Sequence, residues 1–544
     1  MANGMGSLYV GVSGLQSANN AINTTSHNIT NVNTTGYTRQ QVVFNDSIYQ
    51  NIGQNAVNKL QSGIGVDVQE VRRCRDEFLD NAYRQELGRK GFYESQYEVY
   101  TEIETQFGEM QGVKFQEIID NLKGAVNELA LNPTSNVARS ALVQNAVAFI
   151  DRANEIHNSL KRYQSTLNTK IKNMVDRVNE LGTKIRDYNL EIAKIEAGEE
   201  HANDIRDARD AALDELGGLV KIKYNEDAKG AIEIQVENTP FLVADNVLEM
   251  ETKTIPGTDL VVPVWPFLED KEVFALNVDI STDKNNDVGE LKGILLARGG
   301  ELPDYTALDD EEYYKNNIAP SAIMKTVATF DNLIHHIVTD INDVLCPEKD
   351  GKLDMDATSY GMDENRSVGV ELFSRNYTDR YIKTRNAEGE IEYVRNDTNY
   401  FGLESLYTLE NISVNPAVLE NYARIPLTNK NGEESFDKAE QLLDLWKKQD
   451  MVLNPLTGNK ETYSSYYNSM IYDIANTGQV MGNMASSEDA MSISLDNRRK
   501  EVAGVSSDEE LTNLIKFQNA YNASSRYITV VSEMLEHLIE RLGA

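Results

Sequence analysis

The six histidines are the first residues to test for chemistry, because imidazole serves both as a base and as a metal ligand. They are His27, His157, His201, His335, His336 and His537. No histidine lies in an HExxH pattern or beside a cysteine or serine motif that would mark a zinc site or a nucleophile. His335 and His336 point about 100° apart on a predicted helix, which makes them poor joint ligands. The histidines therefore indicate neither a catalytic centre nor a metal site.

Asp283, Asn285 and Asp287 have the alternate spacing with which a calcium-binding loop begins. Such a loop needs glycine at its sixth position and a bidentate glutamate at its twelfth, where this chain has Val288 and Ile294. We interpret the segment as a solvated turn. No phosphate-binding GxxxxGK[ST] or GxGxxG motif and no GxSxG nucleophile motif occurs elsewhere in the chain.

Three carboxylates, Asp204, Asp207 and Asp210, fall on one face of a predicted helix at three-residue steps. Paired carboxylates can act as an acid and a base in catalysis. Arg206 and Arg209 are interleaved with them, however, so helix capping and ion pairing explain the pattern at least as well. Nothing near them would activate a nucleophile. We expect a protein without enzymatic activity, cofactor or metal.

The composition excludes several classes of protein. A net charge of -34 repels nucleic acid and anionic lipid, so neither is an expected partner. The two cysteines, Cys74 and Cys346, belong to no metal-ligand pattern, and the residues alone leave open whether they are joined. The first residues lack the basic and apolar regions of a cleavable secretion signal, and no apolar stretch is long enough for a membrane helix. These facts fit a cytoplasmic protein, or one exported without a cleaved signal.

Proline divides the chain into three parts. All 11 prolines lie between Pro133 and Pro455. Because proline interrupts helices, this distribution predicts helical regions at both ends around an irregular or β-rich middle.

The N-terminal region has a narrow apolar seam. Up to Gln50 the chain carries one acidic and one strongly basic side chain, Asp46 and Arg39. Apolar residues recur every seven positions at Leu8, Leu15, Ile22 and Ile29. This spacing predicts a nearly uncharged helix with one coiled-coil face.

The C-terminal region has a matching seam with heptad spacing. Its apolar members are Leu514, Phe517, Tyr521, Ile528, Val531, Leu535 and Leu538. Two helices that each bury a single stripe suit one another as partners. The alternative is that each packs separately on a globular core.

A much longer helix is predicted from Asn136 to Ala197, where apolar residues recur at three- and four-residue steps with one stutter near Leu167. Shorter helices are predicted from Tyr93 to Phe107, from Phe115 to Leu129 and over 320–345. Alternation at strand period predicts strands at Leu219–Tyr224, Ala231–Val236, Val273–Ile280 and Ile391–Val394. Residues 346–460 are polar and rich in tyrosine and asparagine, which we interpret as a further small domain or insertion.

The segment after the first seam is a family signature. It reads SHNITNVNTTGYTRQ from Ser26 to Gln40 and closely resembles that of the flagellar rod, hook and hook-associated proteins. The ending Arg39-Gln40 resembles the FlgK family of hook-associated proteins rather than hook or rod proteins. Asn31 and Asn33 tolerate left-handed backbone, Gly36 allows a positive φ, and Tyr37 is expected to anchor the returning chain. The motif residues are Asn31, Asn33, Gly36, Tyr37, Arg39 and Gln40.

The start of the second seam is similar to the GVxxDEE segment of the same family. The matching residues are Gly504, Val505, Asp508, Glu509 and Glu510. Ser507 as N-cap with Glu510 three residues later predicts a capping box. The resemblance covers about 1–90, 120–345 and 460–544, and residues 346–460 match poorly.

The resemblance implies a multidomain α+β protein whose terminal helices pair as an α-helical coiled coil. In that architecture residues 1–70 pair with 505–544, and residues 71–216 with 461–504 form a long helical rod-like domain. Residues 217–345 form a β-rich middle domain with a closing helix, and 346–460 an outer insertion domain. The family is secreted through the flagellar type III pathway and sits at the hook–filament junction. Implied partners are further copies in a ring, the hook protein, the second junction protein FlgL, the filament cap, flagellin and an export chaperone of the FlgN type.

Three other readings stay open on the residues alone. A hook or distal-rod protein shares the N-terminal string but usually lacks the long stuttered helix and the GVxxDEE segment. A secreted enzyme or adhesin on an axial scaffold would carry its activity in 346–460, where no catalytic constellation occurs. A cytoplasmic coiled-coil scaffold would share the seams but would not occur in sheared appendages.

Overall fold

The computed structural model describes residues 2–34, 36–47, 49–54, 59–108, 114–198, 201–227, 229–376, 378–386, 389–396 and 406–542. Long helices dominate both ends and the first half of this part of the chain. The α-helices are α1 (Ala2–Thr30), α2 (Glu77–Phe107), α3 (Phe115–Leu131), α4 (Asn136–Glu196), α5 (Asn203–Leu219), α6 (Glu290–Arg298), α7 (Glu311–Tyr313), α8 (Ala322–Leu345), α9 (Pro416–Glu420), α10 (Phe436–Asp444), α11 (Tyr463–Ala503) and α12 (Ser507–Leu542).

The strands are short and lie mainly between the long helices. They are β1 (Gln40–Asp46), β2 (Tyr49–Gln54), β3 (Lys59–Gly63), β4 (Val66–Arg73), β5 (Ile222–Glu226), β6 (Ile232–Val236), β7 (Thr239–Val243), β8 (Asn246–Val247), β9 (Glu251–Thr254), β10 (Val261–Trp265), β11 (Lys271–Glu272), β12 (Glu348–Lys349), β13 (Lys352–Leu353), β14 (Phe373–Arg375), β15 (Tyr381–Arg385), β16 (Ile391–Arg395), β17 (Ile412–Val414), β18 (Met451–Val452) and β19 (Lys460–Glu461). Four-stranded sheets have the orders β5-β6-β7-β8 and β12-β13-β16-β15, and a three-stranded sheet has the order β11-β10-β9. The pairs β1-β4, β2-β3, β14-β17 and β18-β19 complete the described sheets.

The 61-residue helix α4 is the longest element. Ser135 caps its first turn, where its hydroxyl accepts a hydrogen bond of 3.4 Å from the amide of Ala138. Its apolar side chains repeat at three- and four-residue steps and are buried, as at Ile156, Leu160 and Ile171. The predicted long helix is therefore confirmed, and it forms the spine against which α3, α5 and the middle sheets pack.

Helices α2 and α11 form the most extensive helix pair in the structure. They run antiparallel, since Lys90 pairs with Asp489 at 2.8 Å while Tyr100 packs against Gly478 farther along. A Cβ atom at Gly478 would lie 3.0 Å from that of Tyr100, so the glycine lets the two backbones approach closely. Helix α6 packs on α2, and α8 packs on α11.

Helices α1 and α12 also pack against each other along their lengths. This pairing confirms the predicted association of the two chain ends. Together with the long helices and the β-rich middle it confirms the multidomain α+β fold class.

The predicted strand Val273–Ile280 is wrong. Strand β11 ends at Glu272, and the amide of Val273 still donates to the carbonyl of Pro263 at 3.0 Å. Because Pro263 has no N–H to return that bond, the ladder stops there. Leu276, Val278 and Ile280 instead line a cavity of about 600 Å³ between α2 and α11.

The other strand predictions hold with shifted bounds. Strands β5 and β6 form the predicted hairpin, but α5 continues to Leu219, so β5 begins only at Ile222. Ile391–Arg395 is a strand, and it pairs with β15 in an outer sheet. Residues 346–460 thus contain short strand pairs and small helices in the part that the structure describes.

Gly293 tests the packing of α6 on α2. A Cβ atom there would lie 2.6 Å from the carbonyl oxygen of Phe92, which is backbone and cannot rotate away. We expect Gly293→Ala to lower the free energy of unfolding of the helical body by about 1–3 kcal/mol in urea melts followed by circular dichroism. Gly124→Ala is the matched control, because a Cβ atom there meets nothing within 4 Å and should stabilise α3 by about 0.5–1 kcal/mol. Equal stability of the two variants would contradict this packing.

Candidate assembly interface

Helix α1 meets α12 through its smallest residues. A Cβ atom on Gly11 would lie 2.6 Å from Cγ1 of Ile528, and one on Gly14 would lie 2.9 Å from the hydroxyl of Ser524. The two helices are therefore antiparallel and close enough that a larger residue at Gly11 would force them apart.

The same face of α1 continues toward its C-terminal end through Ala18, Ala21, Thr25 and Asn28, all of which are buried. These positions repeat at steps of three and four residues, as a helix-packing face does. The predicted seam residues are each half-buried at the edge of this face: Leu8, Leu15, Ile22 and Ile29. Small residues, and not the heptad leucines and isoleucines, thus occupy the centre of the contact with α12.

On α12 most of the predicted seam lies against α1. Val531 is 7 % exposed, and the half-buried members are Leu514, Phe517, Tyr521, Ile528 and Leu535. Phe517 also meets Phe44 of β1, with ring centroids 6.2 Å apart. Leu538 is 53 % exposed, so the contact within one chain ends before the last turns of the helix.

Asn28 fixes the register of the two helices with a fully used amide group. Its Nδ2 donates to the Gln40 carbonyl at 2.8 Å and to Oε2 of Glu510 at 3.0 Å. Its Oδ1 accepts from the Tyr37 hydroxyl at 2.8 Å and from the Gln40 amide at 3.0 Å. Since Asn28 is 1 % exposed, each of these bonds replaces one that water would otherwise supply.

Tyr37 closes the loop that follows α1. Its hydroxyl donates to Asn28 and lies 3.0 Å from Nδ1 of His27, which must then be the donor in that second contact. Burial raises the pKa of Tyr37, and the nearby carboxylates of Asp204, Asp207 and Glu510 raise it further. The phenol therefore stays protonated and keeps donating at physiological pH.

Arg39 and Glu510 join the loop to the start of α12. Nε of Arg39 donates to Oε1 of Glu510 at 2.8 Å, and its backbone amide donates to the carbonyl of Ala503 at 2.7 Å. The predicted capping box is wrong, because Ser506, not Ser507, caps the helix through a 3.5 Å bond to the amide of Glu509. The Glu510 carboxylate is occupied by Arg39 and Asn28 instead.

Two of the three acidic residues of α5, Asp204 and Asp207, hold the other side of the loop. Asp207 accepts from the Thr38 amide at 2.8 Å, and Asp204 accepts from the Gln40 side chain at 3.2 Å. The interleaved arginines point elsewhere, since Arg206 pairs with Glu196 at 2.7 Å. The ion-pairing interpretation is therefore confirmed for Asp207 and Asp210, but the partners come from β4 and the residues after it.

Asp210 is the centre of a buried charge network. Its carboxylate accepts from Arg73 and from Arg75, each at 2.7 Å, and lies 3.5 Å from Arg84. Burial alone would raise the pKa of Asp210, but the guanidinium groups of Arg75, Arg73 and Arg84 outweigh it and hold the pKa below its usual value. For Asp207 burial prevails over its single arginine, and the pKa is raised.

Arg499, near the end of α11, completes the network. It contacts Asp80 at 2.7 Å and Asp214 at 2.8 Å, while Arg75 contacts Asp80 at 2.6 Å. Its guanidinium also lies 4.3 Å from the ring centroid of Tyr83. Five elements (β4, α2, α5, α11 and the loop after α1) thus meet around paired charges.

The remaining motif residues lie around this junction without entering the network. Gly36 has a φ of +82°, and in the described part of its loop the asparagines Asn31 and Asn33 do not adopt positive φ. Asn31 donates to the carbonyl of His27 at 3.0 Å, and Glu509 lies 3.5 Å from Arg39. Gly504 and Val505 are half-buried in the connection between α11 and α12, and Asp508 is exposed in the first turn of α12.

Sequence reasoning missed the residues that these motifs bind. Asn28, Thr38, Arg73, Arg75 and Arg499 are all more than 30 positions from at least one partner. The one available signal was the placement of Asn28 among small residues on an otherwise apolar helix face, where a buried amide must find partners.

The carboxylates of the network are used in ion pairs and hydrogen bonds. Glu510 and Asp210 face arginines, and Asp207 also accepts from the backbone amide of Thr38. Across the described residues, no group of three or more His, Cys, Asp or Glu side chains is placed to hold a metal ion. Within the same residues, no helix has both the length and the apolar character to cross a bilayer.

Asn28→Ala should loosen the pairing of the chain ends. The change leaves the Glu510 carboxylate and the Gln40 backbone groups short of partners, which should weaken the pairing of the two helices by about 1–3 kcal/mol. We expect faster hydrogen exchange in the first turns of α12 by mass spectrometry. Asn20→Ala removes an exposed amide from the same helix and serves as control. If both variants exchange alike, Asn28 does not hold the junction.

Comparison with known proteins places three family matches along the chain. The flagellar hook-associated protein FlgK helical domain matches residues 100–344. The flagella basal body rod protein family matches residues 8–38, and the flagellar basal body rod FlgEFG protein C-terminal family matches residues 499–541. The two rod-type matches coincide with α1 and its loop and with Arg499 and α12, which are the parts that form the junction.

Similar proteins span nearly the whole chain. Flagellar hook-associated protein 1 of Bacillus subtilis strain 168 is 24 % identical over 96 % of this chain and 95 % of its own length. Flagellar hook-associated protein 1 of Escherichia coli strain K12 is 23 % identical over 97 % and 98 %. The flagellar hook junction protein FlgK of Burkholderia pseudomallei shares the fold, with a TM-score of 0.54 at 11 % identity over 79 % of this chain and all of that one. The helical-domain match and the full-length relatives agree on one family, the FlgK flagellar hook-associated proteins, to which this chain is similar over nearly its whole length.

Proposed function

We propose that the chain is a structural component of the bacterial flagellum that joins the hook to the filament and is required for filament assembly. Its family supports this role, since the similar proteins are flagellar hook-associated proteins along nearly their full lengths. The observation that carries the proposal is the apolar surface that the paired chain ends leave uncovered.

Helix α12 also has apolar side chains that its contact with α1 leaves exposed. Met534 and Ile539 are 64 % and 69 % exposed, and further exposed members are Leu511, Ile515, Val530 and Leu538. On α1, Tyr9 is 69 % exposed. Several exposed apolar side chains on one helix are typical of a surface that another protein covers. The pairing of α1 with α12 leaves these side chains in water, whereas neighbouring subunits in a helical lattice could cover them.

The charge of the paired ends supports the same role. Helix α1 contains no Asp, Glu, Lys or Arg side chain, although the whole chain has a net charge of -34. Depletion of charge is typical of the core of a protein interface. We infer that α1 and α12 lie in the interior of the assembly and that the acidic surface lies outside it.

The organisation into domains is part of this proposal. Residues 1–70 with 505–544 would form the inner, assembling part, and 71–216 with 461–504 the helical rod around it. Residues 217–345 would form the middle domain and 346–460 the outer insertion. The packing of α8 on α11 and of α6 on α2 supports a firm attachment of the middle domain to the rod.

Membership of the family implies assembly with other flagellar axial proteins. We propose as specific partners further copies in a ring, the hook protein, the second junction protein FlgL, the filament cap, flagellin and an export chaperone of the FlgN type. Export through the flagellar type III pathway would bring the chain to the outside of the cell. We propose that the chain has a structural role and no enzymatic activity, and the pairing of the charges around Asp210 supports this.

Ile528→Asp tests the role of the paired ends. It places a carboxylate against Gly11 in the helix contact, and α1 has no lysine or arginine side chain to pair with it. Burying an unpaired charge is expensive, so α1 and α12 should separate. We expect a soluble monomer with an unchanged melting transition of the helical body. We also expect that no hook–filament junction forms and that unpolymerised flagellin appears in the medium.

Val243→Asp provides the matched control for the same change of charge. Val243 is 41 % exposed on β7, far along the chain from both ends, so this variant should assemble normally. Normal filaments from Ile528→Asp would refute the assembly role of the paired ends. Loss of filaments from both variants would show that added charge, and not the position, disturbs assembly.

A further inference from the structure

Residues 406–411, called here the clasp segment, lie against α8 in the outer part of the molecule. The amide of Leu409 donates to Oδ1 of Asp331 at 2.7 Å, and the carbonyl of Tyr407 lies 3.1 Å from Nδ1 of His335. The hydroxyl of Tyr407 donates to Oε2 of Glu371 at 2.5 Å. Tyr407 and Leu409 are buried, so the segment is seated by three ionisable groups that it covers.

Asp331 is a buried carboxyl without an ion pair among the described residues. Its second oxygen accepts from the Tyr305 amide at 2.9 Å, so both oxygens are held by backbone donors. Two ionisable side chains also act on its pKa, His157 from α4 and Asp304. Burial raises the pKa of Asp331 to about 6, although the amides of Leu409 and Tyr305 favour the ionised form.

Glu371 is the second buried carboxyl beneath the segment. Besides Tyr407 it accepts from the side chain of Asn342 at 3.3 Å, and its nearest guanidinium, Arg380, is 4.0 Å away. The pKa of Glu371 is raised to about 7, chiefly by burial and in part by Asp379. Tyr407, Arg380 and Arg375 act to lower it.

The pKa of His335 is shifted in the opposite direction from those of the two carboxyls. Its ring stacks on Tyr305 with centroids 3.6 Å apart, and because a carbonyl only accepts, Nδ1 donates to Tyr407. The pKa of His335 is lowered to about 4, chiefly by burial and in part by His336. The Tyr407 carbonyl, Asp343 and Asp304 act to raise it.

We infer that the clasp segment is bound more firmly to α8 as the medium becomes more acidic. When the segment binds, it buries two carboxyls, Asp331 and Glu371, that lack full counter-charges, whereas it buries only one imidazole, that of His335. Free carboxyls of this type titrate near about 4. Between about pH 4 and 7 the seated state therefore holds more protons on Asp331 and Glu371 than the released state does. Falling pH favours the state that binds more protons.

The imidazole reduces this gain without cancelling it. A released His335 would titrate near about 6.5, so it takes up a proton on release and opposes seating between about pH 6.5 and 4. Because two carboxyls outweigh one imidazole, the bound state of the segment still takes up more protons than the released state as the pH falls. We expect the seating equilibrium to rise by about tenfold or more from pH 8 to pH 5.

Glu410 and Lys161 mark the exposed end of the segment and do not share in this change. Their contact is 2.5 Å long, and His157 lies 3.5 Å from the same carboxylate. His157 and Lys161 together hold the pKa of Glu410 at about 2, so Glu410 stays ionised across the whole range.

Hydrogen–deuterium exchange of the full-length chain at pH 8 and pH 5 tests the inference. After correction for the intrinsic exchange rates, the protection of residues 406–411 should rise about tenfold on acidification, while that of β6 should not rise with it. Protection that stays level or falls at pH 5 would overturn the inference, and so would an equal rise in β6.

Two substitutions separate the opposing groups. Glu371→Gln keeps an acceptor for Tyr407 but cannot titrate, so the rise in protection should disappear or reverse. His335→Gln removes the opposing group, so the rise should grow by about another tenfold. A Glu371→Gln variant that keeps the full rise would show that the carboxyl is merely structural and would refute the proton dependence.

Discussion

A carboxylate that is buried must find donors, and in this protein that requirement determines how the chain ends leave the helical body. Asp210 is nine-tenths buried, and three arginines that lie more than a hundred positions earlier converge on it. Breaking a buried ion pair by removing one of its two members costs about 3–5 kcal/mol of stability. Strand β4, the start of α2 and helix α5 can therefore meet in only one arrangement, and the loop after α1 is bound to the same carboxylate face through Thr38.

The arrangement of α1 and α12 follows from that fixed junction. Asn28 and Glu510, which are 482 positions apart, meet at its edge, and Arg39 links the same carboxylate to the loop. From there the two helices run away antiparallel and are held by close contact of Gly11 and Gly14 with α12. Polar bonds set the register at one end, while dispersion between small residues and the α12 seam holds the rest.

The sequence predicted helices well where one element buries a regular stripe. The bounds of α4 and the buried face of α12 follow from three- and four-residue steps that need no knowledge of the partner. On α1 the same reasoning selected Leu8 and Ile22, because apolar size is visible in a sequence whereas the closeness of two backbones is not. Gly11 and Ala18 lie at the centre only because α12 approaches them closely.

The polar junction was beyond prediction for a different reason. The spacing of Asp207 and Asp210 shows that they share a helix face, but their partners are 134 and 135 positions away in Arg73 and Arg75. A carboxylate near a helix start suggests a cap, which is why the sequence predicts a capping box with Glu510. A long-range donor such as Arg39 competes with the local backbone for that carboxylate and prevails because an ion pair is the stronger bond. The strand predicted at Val273–Ile280 failed similarly, since its alternation was real but the ladder depended on Pro263.

The half-buried α1 residues acquire a meaning once both helices are considered together. Leu8, Leu15, Ile22 and Ile29 flank the small-residue face, and α12 exposes further apolar side chains, so a single chain leaves apolar surface uncovered on the helix pair. In a monomer the four flanking side chains of α1 are only half-buried, so part of their apolar surface stays in water. In a ring of copies the same side chains would be removed from water by neighbours, at about 1.5–3 kcal/mol each for full burial. In the proposed assembly the small face would serve the pairing within one chain, and the large flanking residues would serve the pairing between chains. Contacts between chains would then add stability without altering the register that Asn28 and Glu510 define.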